Sequence, residues 1–334
     1  PPGDGFLRGS YPNGVTIPAG STWIWDQDVT IGTSSQGASL NPLGTLMLPS
    51  LAYQDSHPPI TMTFLGINES QMTDTFNPAV DHGILMGDQG QLQLIGKFIK
   101  PWDYGLSSHT TWGAGDEIYR APISFTDLRA NGFRRHTLGA NVETCADGVK
   151  TAVLNLSRWA TIQGTPTGRA HIRMHGHAQQ HIENVAFKHM GPGFLGRYAL
   201  HMHLSGSSAA GSVIKGCAIS RSGHHAIVPH GVIGTASNPI LIEDNVVFDC
   251  INEPGWWDRG VENVSSFTIW NHNCFCWTKG GGNRISAMFL SEGDNNQFND
   301  GFLCGTDSDA TEGSAVIWLE RKNNTNFPEG VWGW

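Results

Sequence analysis

The chain has 334 residues, of which 39% are hydrophobic and 15% charged, with 42 glycines and 12 tryptophans. This much apolar and aromatic material fills a core and excludes a disordered chain, while the many glycines and few charges predict a turn-rich, all-β protein. The formal net charge of −9, without a basic stripe, makes nucleic acid an unexpected partner, and no apolar run is long enough for a transmembrane helix.

The first 150 residues contain short strand-like runs separated by turn residues. The runs VTIPAGSTWIW, ITMTFLGI and GQLQLIG are rich in apolar and β-branched residues and are punctuated by Gly and Pro. They predict an N-terminal β-rich domain over residues 1–150, packed on a second domain over residues 151–334.

The second half carries an internal repeat. Five segments with a shared pattern begin at residues 183, 215, 244, 272 and 299: ENVAF, KGCAI, DNVVF, HNCFC and NDGFL. Steps of about 30 residues suit one coil of a right-handed parallel β-helix with three short strands. The alternative is an ordinary β-sandwich with coincidental Asn-Val pairs.

Histidines in the stretch RYALHMH, residues 197–203, indicate a metal site. In a strand, His201 and His203 lie on one face. His230 and Asp258 fall at matching positions of the next two coils. Three imidazoles and a carboxylate suit one divalent ion of Zn, Mn, Fe, Ni or Cu, whereas Ca prefers more oxygen ligands. The alternative is a histidine-rich solvent face.

A second histidine-rich run, HIRMHGHAQQH, precedes this strand. If Ile172 and Met174 point into the core, the alternate residues form an outward row. We expect a solvated row in preference to a second metal or substrate surface: His171, Arg173, His175 and His177.

The residues around the proposed metal site suit a sugar. Trp256 and Trp257 precede Asp258, and an exposed indole is a good stacking plate. Arg197 can clamp a uronate carboxylate through two parallel hydrogen bonds, and Tyr198 lies beside it as a second substrate contact.

Several side chains are candidates for acid–base catalysis. Glu262 with Asp258 suits a glycoside hydrolase. His225, with Tyr198 and Arg197, suits a lyase, which removes a proton beside a uronate. Glu253 and Asp249 are further nearby carboxylates, and the sequence does not separate these roles.

Cysteines and glycosylation sequons predict an extracellular chain. Six cysteines occur without a C-x-x-C pair, and Cys274 and Cys276 would share one strand face. One or two disulfides are expected. Four N-x-S/T sequons, at Asn68, Asn155, Asn263 and Asn323, indicate a secreted glycoprotein, and the opening PPGDGF is typical of a processed N-terminus.

Longer segments resemble a known family. GRYALHMHLSG, SVIKGCAISRSGHHAIVPHG, ILIEDNVVFDC and PGWWDRGVEN are similar to the β-helix core of the cell-surface and cell-migration-inducing hyaluronidases. VTIPAGSTW, GTLML, GQLQLIG, PWDYGL and GAGDEI resemble the eight-glycine domain that precedes this core. The resemblance covers residues 14–300 and is strongest over 182–260.

The resemblance implies a right-handed β-helix with an appended β domain, acting on a glycosaminoglycan-like polymer. It matches His201, His203 and His230 to the family's histidines and puts Asp258 at or beside its acidic residue. Ala199 replaces a proline, Met202 a phenylalanine, and WWDRG the family's Phe-Phe-x-Glu-Asp-Gly segment. These departures leave the identity of the glycan open.

Together these features predict a secreted, metal-dependent enzyme that degrades a hyaluronan-like or other uronic-acid-containing polysaccharide. One alternative is a non-catalytic carbohydrate-binding β-helix, since one fold hosts both roles. The other is metal-dependent oxidative or lyase chemistry on a polysaccharide. The sequence leaves the oligomeric state open.

Overall fold

The chain folds into a parallel β-helix, which confirms the predicted all-β class. The computed structural model describes residues 4–66, 68–72, 81–87, 89–104, 112–120, 134–137, 152–256, 265–279, 285–291, 293, 295–306 and 314–320. Over these residues the strands and helices have the following bounds: β1 (Gly5–Tyr11), β2 (Val15–Ile17), β3 (Thr22–Ile31), β4 (Ser39–Pro42), β5 (Thr45–Met47), α1 (Leu51–Ser56), β6 (Ile60–Phe64), a 3-10 turn (Glu69–Gln71), β7 (Gly83–Leu85), β8 (Gln91–Ile95), β9 (Trp102–Tyr104), β10 (Glu117–Arg120), β11 (Arg134–Thr137), β12 (Ala152–Asn155), β13 (Ala160–Gln163), β14 (His171–Met174), β15 (His181–Glu183), β16 (Val185–Lys188), β17 (Leu200–Gly206), a 3-10 turn (Ser207–Ala209), β18 (Val213–Lys215), β19 (Ala218–Ser220), β20 (Ile227–Val232), β21 (Ile240–Glu243), β22 (Val246–Ile251), β23 (Gly255–Trp256), β24 (Thr268–Asn271), β25 (Cys274–Lys279), β26 (Ile285–Ser291), β27 (Gln297–Asn299), β28 (Phe302–Thr306) and β29 (Ser314–Glu320).

Successive coils place their strands on three long parallel faces. Face 1 contains β5, β8, β15, β18, β21, β24 and β27, and face 2 contains β6, β13, β16, β19, β22, β25 and β28. Strand β3 joins these two faces, because its first residues pair with β5 and its last residues with β6. Face 3 contains β2, β4, β7, β14, β17, β20, β23, β26 and β29.

Apolar side chains stack inside the helix from coil to coil. On face 1, Ile182, Ile214, Ile242 and Trp270 are register neighbours, and each is at most 2% exposed. Strands of one face lie about 4.8 Å apart, so each inward residue packs on its counterpart above and below. Because the pleat alternates, the residues between them point outward and are available for a site.

The β-helix begins earlier in the chain than the division at residue 150 predicts. Strands β6, β7 and β8 pair directly in parallel with β13, β14 and β15. The N-terminal strands therefore form the first coils of the same helix. The physical reason is that a coil buries its apolar residues and pairs its edges only when it stacks on a neighbouring coil.

A small antiparallel sheet interrupts the coils between β8 and β13. Its strand order is β11, β10, β12, β9. Trp102 of β9 is fully buried, stacks on the His272 ring at 4.4 Å between centroids and donates from Nε1 to the His272 carbonyl oxygen (3.0 Å). Leu154 of β12 joins a cluster with Ala186 and Val246, which point outward from face 2. This sheet therefore covers part of face 2.

Glu117 links the antiparallel sheet to face 2 through two ion pairs. Its carboxylate accepts from Lys188 Nζ (3.0 Å) and Arg221 Nη2 (2.6 Å), and its side chain is 11% exposed. Burial raises the pKa of Glu117, but the hydrogen bond from Arg221 and the charge of Lys188 outweigh burial and lower it from 4.5 to about 2.

Replacing Glu117 by glutamine is expected to weaken the fold by about 3 kcal/mol at neutral pH. Since the folded-state pKa is the lower one, the carboxylate stabilises the fold fully above pH 4.5, and this stabilisation is lost as the pH falls towards 2. Urea unfolding at a series of pH values should therefore show a shallower loss of stability with acid in E117Q. Asp55→Asn, in an exposed pair with Lys97, is the control. Equal acid slopes in E117Q and wild type would contradict this prediction.

The structure confirms the repeat and corrects its register by one residue. The left-handed turn between faces 1 and 2 is formed by register equivalents with positive φ: Asn184, Gly216, Asp244, His272 and Asp300. Asn245 and Asn273 each follow this turn residue and are buried, at 0% and 4% exposure. The internal repeat aligns these two asparagines with Asn184 because both the turn position and the position after it accept asparagine.

Candidate functional site

Three histidines converge on the outer side of face 3. His201 and His203 alternate with Leu200 and Met202 of the core, so both imidazoles point outward as predicted. His203 is the direct register neighbour of His230 on the next strand. One ring nitrogen from each histidine lies within 4.8 Å of the other two.

Hydrogen bonding orients the His201 ring. Its Nδ1 lies 3.0 Å from the carbonyl oxygen of Gly196, a glycine with φ of 80° in the loop that precedes β17. If Nδ1 carries the proton and donates to that carbonyl, Nε2 keeps its lone pair. Nε2 faces His230 Nδ1 at 3.3 Å. A backbone carbonyl that fixes the tautomer in this way is the usual partner of a metal-binding histidine.

The imidazoles of His201 and His203 are held in the neutral form. Burial, reinforced by His203 and His230, lowers the pKa of His201 well below its ordinary value of 6.5. Burial and the charge of Arg173 lower the pKa of His203 to about 3. Neutral imidazole is the form that binds a metal, because its ring nitrogen offers a lone pair.

One pair of ring nitrogens in the cluster has the separation that a divalent transition ion requires. Tetrahedral zinc with Zn–N bonds of 2.0–2.1 Å places its ligand nitrogens about 3.4 Å apart. The separation of His201 Nε2 and His230 Nδ1 is 3.3 Å. At His203, Nδ1 accepts a 3.3 Å hydrogen bond from Arg173 Nη2, so an ion bound at that atom would compete with this contact.

Strand β14 adds two side chains to the cluster that the sequence assigned to a solvated row. Ile172 and Met174 point into the core as predicted. Arg173, half-buried, is the register neighbour of His201. His175 Nδ1 lies 3.2 Å from His203 Nδ1 and 3.0 Å from the His203 carbonyl oxygen. The sequence feature that identifies His175 is its spacing, because it lies 28 residues before His203, which is the length of one coil.

The guanidinium of Arg197 is not available to bind a substrate carboxylate. Its guanidinium donates to both carboxylate oxygens of Asp81, with 3.1 Å between Nη2 and Oδ2. Arg197 is 3% exposed and Asp81 is fully buried. His171 Nε2 approaches the same carboxylate at 3.5 Å. The predicted clamp is corrected to a buried ion pair, because Asp81 supplies within the protein the carboxylate that the substrate was expected to bring.

Tyr198 is a packing residue between two groups of histidines. Its ring is 2% exposed and lies 4.7 Å from the His201 ring, 5.0 Å from His224 and 5.1 Å from His225, measured between centroids. A buried ring presents no stacking surface, so the predicted sugar contact at Tyr198 is corrected to a structural one.

His225 has a carboxylate partner. Its Nδ1 lies 3.2 Å from Glu253 Oε2 and 3.2 Å from the Glu253 carbonyl oxygen. Burial, with His224 nearby, lowers the pKa of His225 well below 6.5. If Nδ1–H donates to Glu253, the lone pair stays on Nε2, as a general base requires.

The remaining predicted residues of the site lie outside the described part of the chain. These are Trp257, Asp258 and Glu262, together with the side chain of Trp256, whose backbone belongs to β23. Their predicted roles stay predictions.

Cysteines and sequons are placed as follows. Cys217, Cys250, Cys274 and Cys276 are buried free thiols. The Sγ atoms of Cys274 and Cys276 lie 3.6 Å apart, which confirms the prediction that both side chains lie on one face of their strand. Of the two sequon asparagines in the described part, Asn68 is exposed, whereas Asn155 is buried with its amide donating to Asp116.

These features define a parallel β-helix with a histidine cluster on one outer face. Residues 167–328 match the family model described as CEMIP beta-helix. This stretch contains the whole histidine cluster, and the match confirms the resemblance to the cell-migration-inducing hyaluronidases there.

Curated proteins match a shorter part of the chain. Fibrocystin-L of Mus musculus is 36% identical over 83 residues, and Fibrocystin-L of Homo sapiens is 32% identical over 83 residues. Each match covers 25% of this chain, which spans about 2% of the length of these relatives. In the described part of the chain, no helix combines the length and the apolar character needed to cross a membrane.

Proposed function

We propose that the chain is a secreted, metal-dependent enzyme that cleaves a hyaluronan-like or other uronic-acid-containing polysaccharide. The observation that carries the proposal is the convergence of His201, His203 and His230, all on an outer face, within 4.8 Å of one another. The family match over residues 167–328 supports a hyaluronidase-like, glycan-related role.

In this proposal the three histidines hold one divalent ion, with Asp258 as the further ligand indicated by sequence spacing. The ion, when bound, would polarise a substrate oxygen or lower the pKa of a water. The Gly196 carbonyl orients His201, and Glu253 orients His225. His225 packs against Tyr198, whose ring also contacts His201 of the cluster. In this proposal His225 accepts or returns a proton.

The two main reaction classes differ in the atom that loses a proton to the base, which is the oxygen of water in hydrolysis and the carbon beside the uronate carboxylate in elimination. In hydrolysis, the oxygen of water joins the anomeric carbon, the glycosidic C–O bond breaks, and a proton passes to the leaving oxygen. In elimination, a base takes the proton from the carbon beside the uronate carboxylate, an alkene forms in the sugar ring, the C–O bond breaks, and the leaving oxygen takes up a proton. Asp258 and Glu262 are the proposed groups for hydrolysis, and His225 for elimination.

Incubation with a panel of polymers tests the proposal. The protein, supplied with Zn²⁺ or Mn²⁺, is added to hyaluronan, chondroitin, polygalacturonate and a neutral glucan, and chain length is followed by size-exclusion chromatography. Shortening of an acidic polymer that a chelator prevents is the expected result. New reducing ends mark hydrolysis, alkene absorbance marks elimination, and dependence on oxygen and a reductant marks oxidative cleavage. Binding without shortening would replace the enzyme with a carbohydrate-binding β-helix.

A further inference from the structure

We propose that Arg173 is the residue that recognises the carboxylate of the polysaccharide at this site. This inference rests on the proposed function and adds to it a specificity-determining residue. It also replaces the clamp that the sequence assigned to Arg197, whose guanidinium already binds Asp81.

Arg173 differs in its partner from the arginines of the described part that bind a carboxylate, and from Arg158, which donates to three backbone carbonyl oxygens. Four others in the described part of the chain donate to a carboxylate of the protein: Arg8 to Asp26, Arg169 to Glu69, Arg197 to Asp81 and Arg221 to Glu117. Arg173 Nη2 donates instead to the neutral ring nitrogen His203 Nδ1 at 3.3 Å. Its Nε is buried and has no hydrogen-bond acceptor.

Within the described part of the chain, this half-buried guanidinium has no carboxylate partner. Burial is the cause that lowers the pKa of Arg173, with no carboxylate raising it. Buried donors are almost always paired in native proteins, so an orphaned charged donor on a functional face points to a ligand that completes it. The planar guanidinium fork matches a carboxylate better than it matches a single imidazole nitrogen.

The position of Arg173 suits a polymer that crosses the histidine cluster. Arg173 pairs in register with His201, so the two residues stand on adjacent strands about 4.8 Å apart. Its contact with His203 places the guanidinium beside a proposed metal ligand. A uronate bound at Arg173 would hold a neighbouring glycosidic bond near His201, His203 and His230.

A local cation is needed because the chain as a whole repels such a substrate. Its formal net charge is −9, and a polyanion gains nothing from that general field. Among the described residues, the strongest electrostatic neighbours of His203 are Arg173, His230 and His175, none of them acidic. The face is therefore locally suited to a negative charge.

Binding of matched oligosaccharides tests this role without requiring turnover. The ligands are a hyaluronan hexasaccharide and the same hexasaccharide with its carboxylates reduced to alcohols, each titrated calorimetrically into wild type, R173Q, R173K and R8Q. Charge-assisted hydrogen bonds of this kind discriminate about 10–100-fold. We expect wild type to prefer the acidic ligand by that factor and R173Q to bind both ligands equally, with affinity for the reduced ligand unchanged.

The other two variants are matched controls. Arg8→Gln removes the same charge from a partly exposed pair with Asp26, on a strand outside face 3, and should keep the wild-type preference. Arg173→Lys keeps the charge without the fork and should retain only part of the preference. Thermal unfolding confirms that each variant is folded, and R173K carries the test if R173Q is not.

Three results would overturn the assignment, and they are distinguishable. An undiminished acidic preference in R173Q or R173K would show that another group binds the carboxylate, while the proposed function stands. Equal binding of both ligands by wild type would show that the site ignores the carboxylate. Failure of wild type to bind either ligand or to shorten any acidic polymer would remove the proposed function, and this inference with it.

Discussion

Replacing His201 and His203 together by alanine is expected to remove about one equivalent of a bound transition metal and to lower kcat/KM on an acidic polysaccharide by at least about 1,000-fold. The double variant leaves only His230 of the three converging histidines, and one imidazole does not hold a divalent ion in competition with water. Elemental mass spectrometry of the purified proteins gives the metal content, and polymer shortening gives the rate.

His177→Ala is the matched control for this experiment. His177 lies two residues after His175 but is exposed, so its loss should leave both metal content and rate unchanged. Full metal content in the double variant would show that His201 and His203 are not ligands. Absence of metal from wild type, even after divalent ions are added, would reassign the histidines to acid–base or binding roles.

Replacing Asn245 by alanine is expected to destabilise the β-helix by about 2–6 kcal/mol. Asn245 is fully buried at the turn between faces 1 and 2. Its Oδ1 accepts from the Cys217 backbone N–H (3.0 Å), and its Nδ2 donates to the Ile214 carbonyl (2.9 Å) and to Asn273 Oδ1 (3.0 Å). Alanine leaves the Cys217 N–H and the Ile214 carbonyl without this partner in the interior, each costing about 1–3 kcal/mol. Asn273 Oδ1 keeps the hydrogen bond from the Asn245 backbone N–H (3.0 Å).

Asn271→Ala provides the comparison on a neighbouring coil. Asn271 is half-buried on face 1, where its Nδ2 donates to Glu243 at 2.7 Å. Water can replace this bond, so we expect a loss below about 1 kcal/mol. The measurement is the urea midpoint of the main unfolding transition. Similar midpoints for N245A and N271A would mean that the buried asparagine ladder does not hold the coils in register.

Much of the fold was predictable because a β-helix converts spacing in sequence into position in space. Once a coil takes a near-constant number of residues, segments one period apart become neighbours on a face. This reasoning placed His203 beside His230 and put Cys274 and Cys276 on one side of a strand. It misplaced Asn245 by one residue, because a period alone does not distinguish a turn residue from the residue after it.

The same reasoning was applied too narrowly at the site. Applied only to the coils after His201, the period misses the preceding coil, where Arg173 and His175 reach His203. Inward apolar residues are common to every coil, so the pattern of β14 alone predicts a solvated outer row, whereas Arg173 and His175 of that row contact His203.

By itself, the sequence determined the all-β coiled architecture and the convergence of His201, His203 and His230, because strand alternation and a regular period are local properties of the chain. The tertiary structure alone decided which arginine is available at the site. Asp81, which lies 116 residues from Arg197 in the sequence, neutralises its charge, and no local sequence pattern predicts such a pairing. The same holds for the antiparallel sheet on face 2, whose docking depends on side-chain contacts between segments distant in the chain.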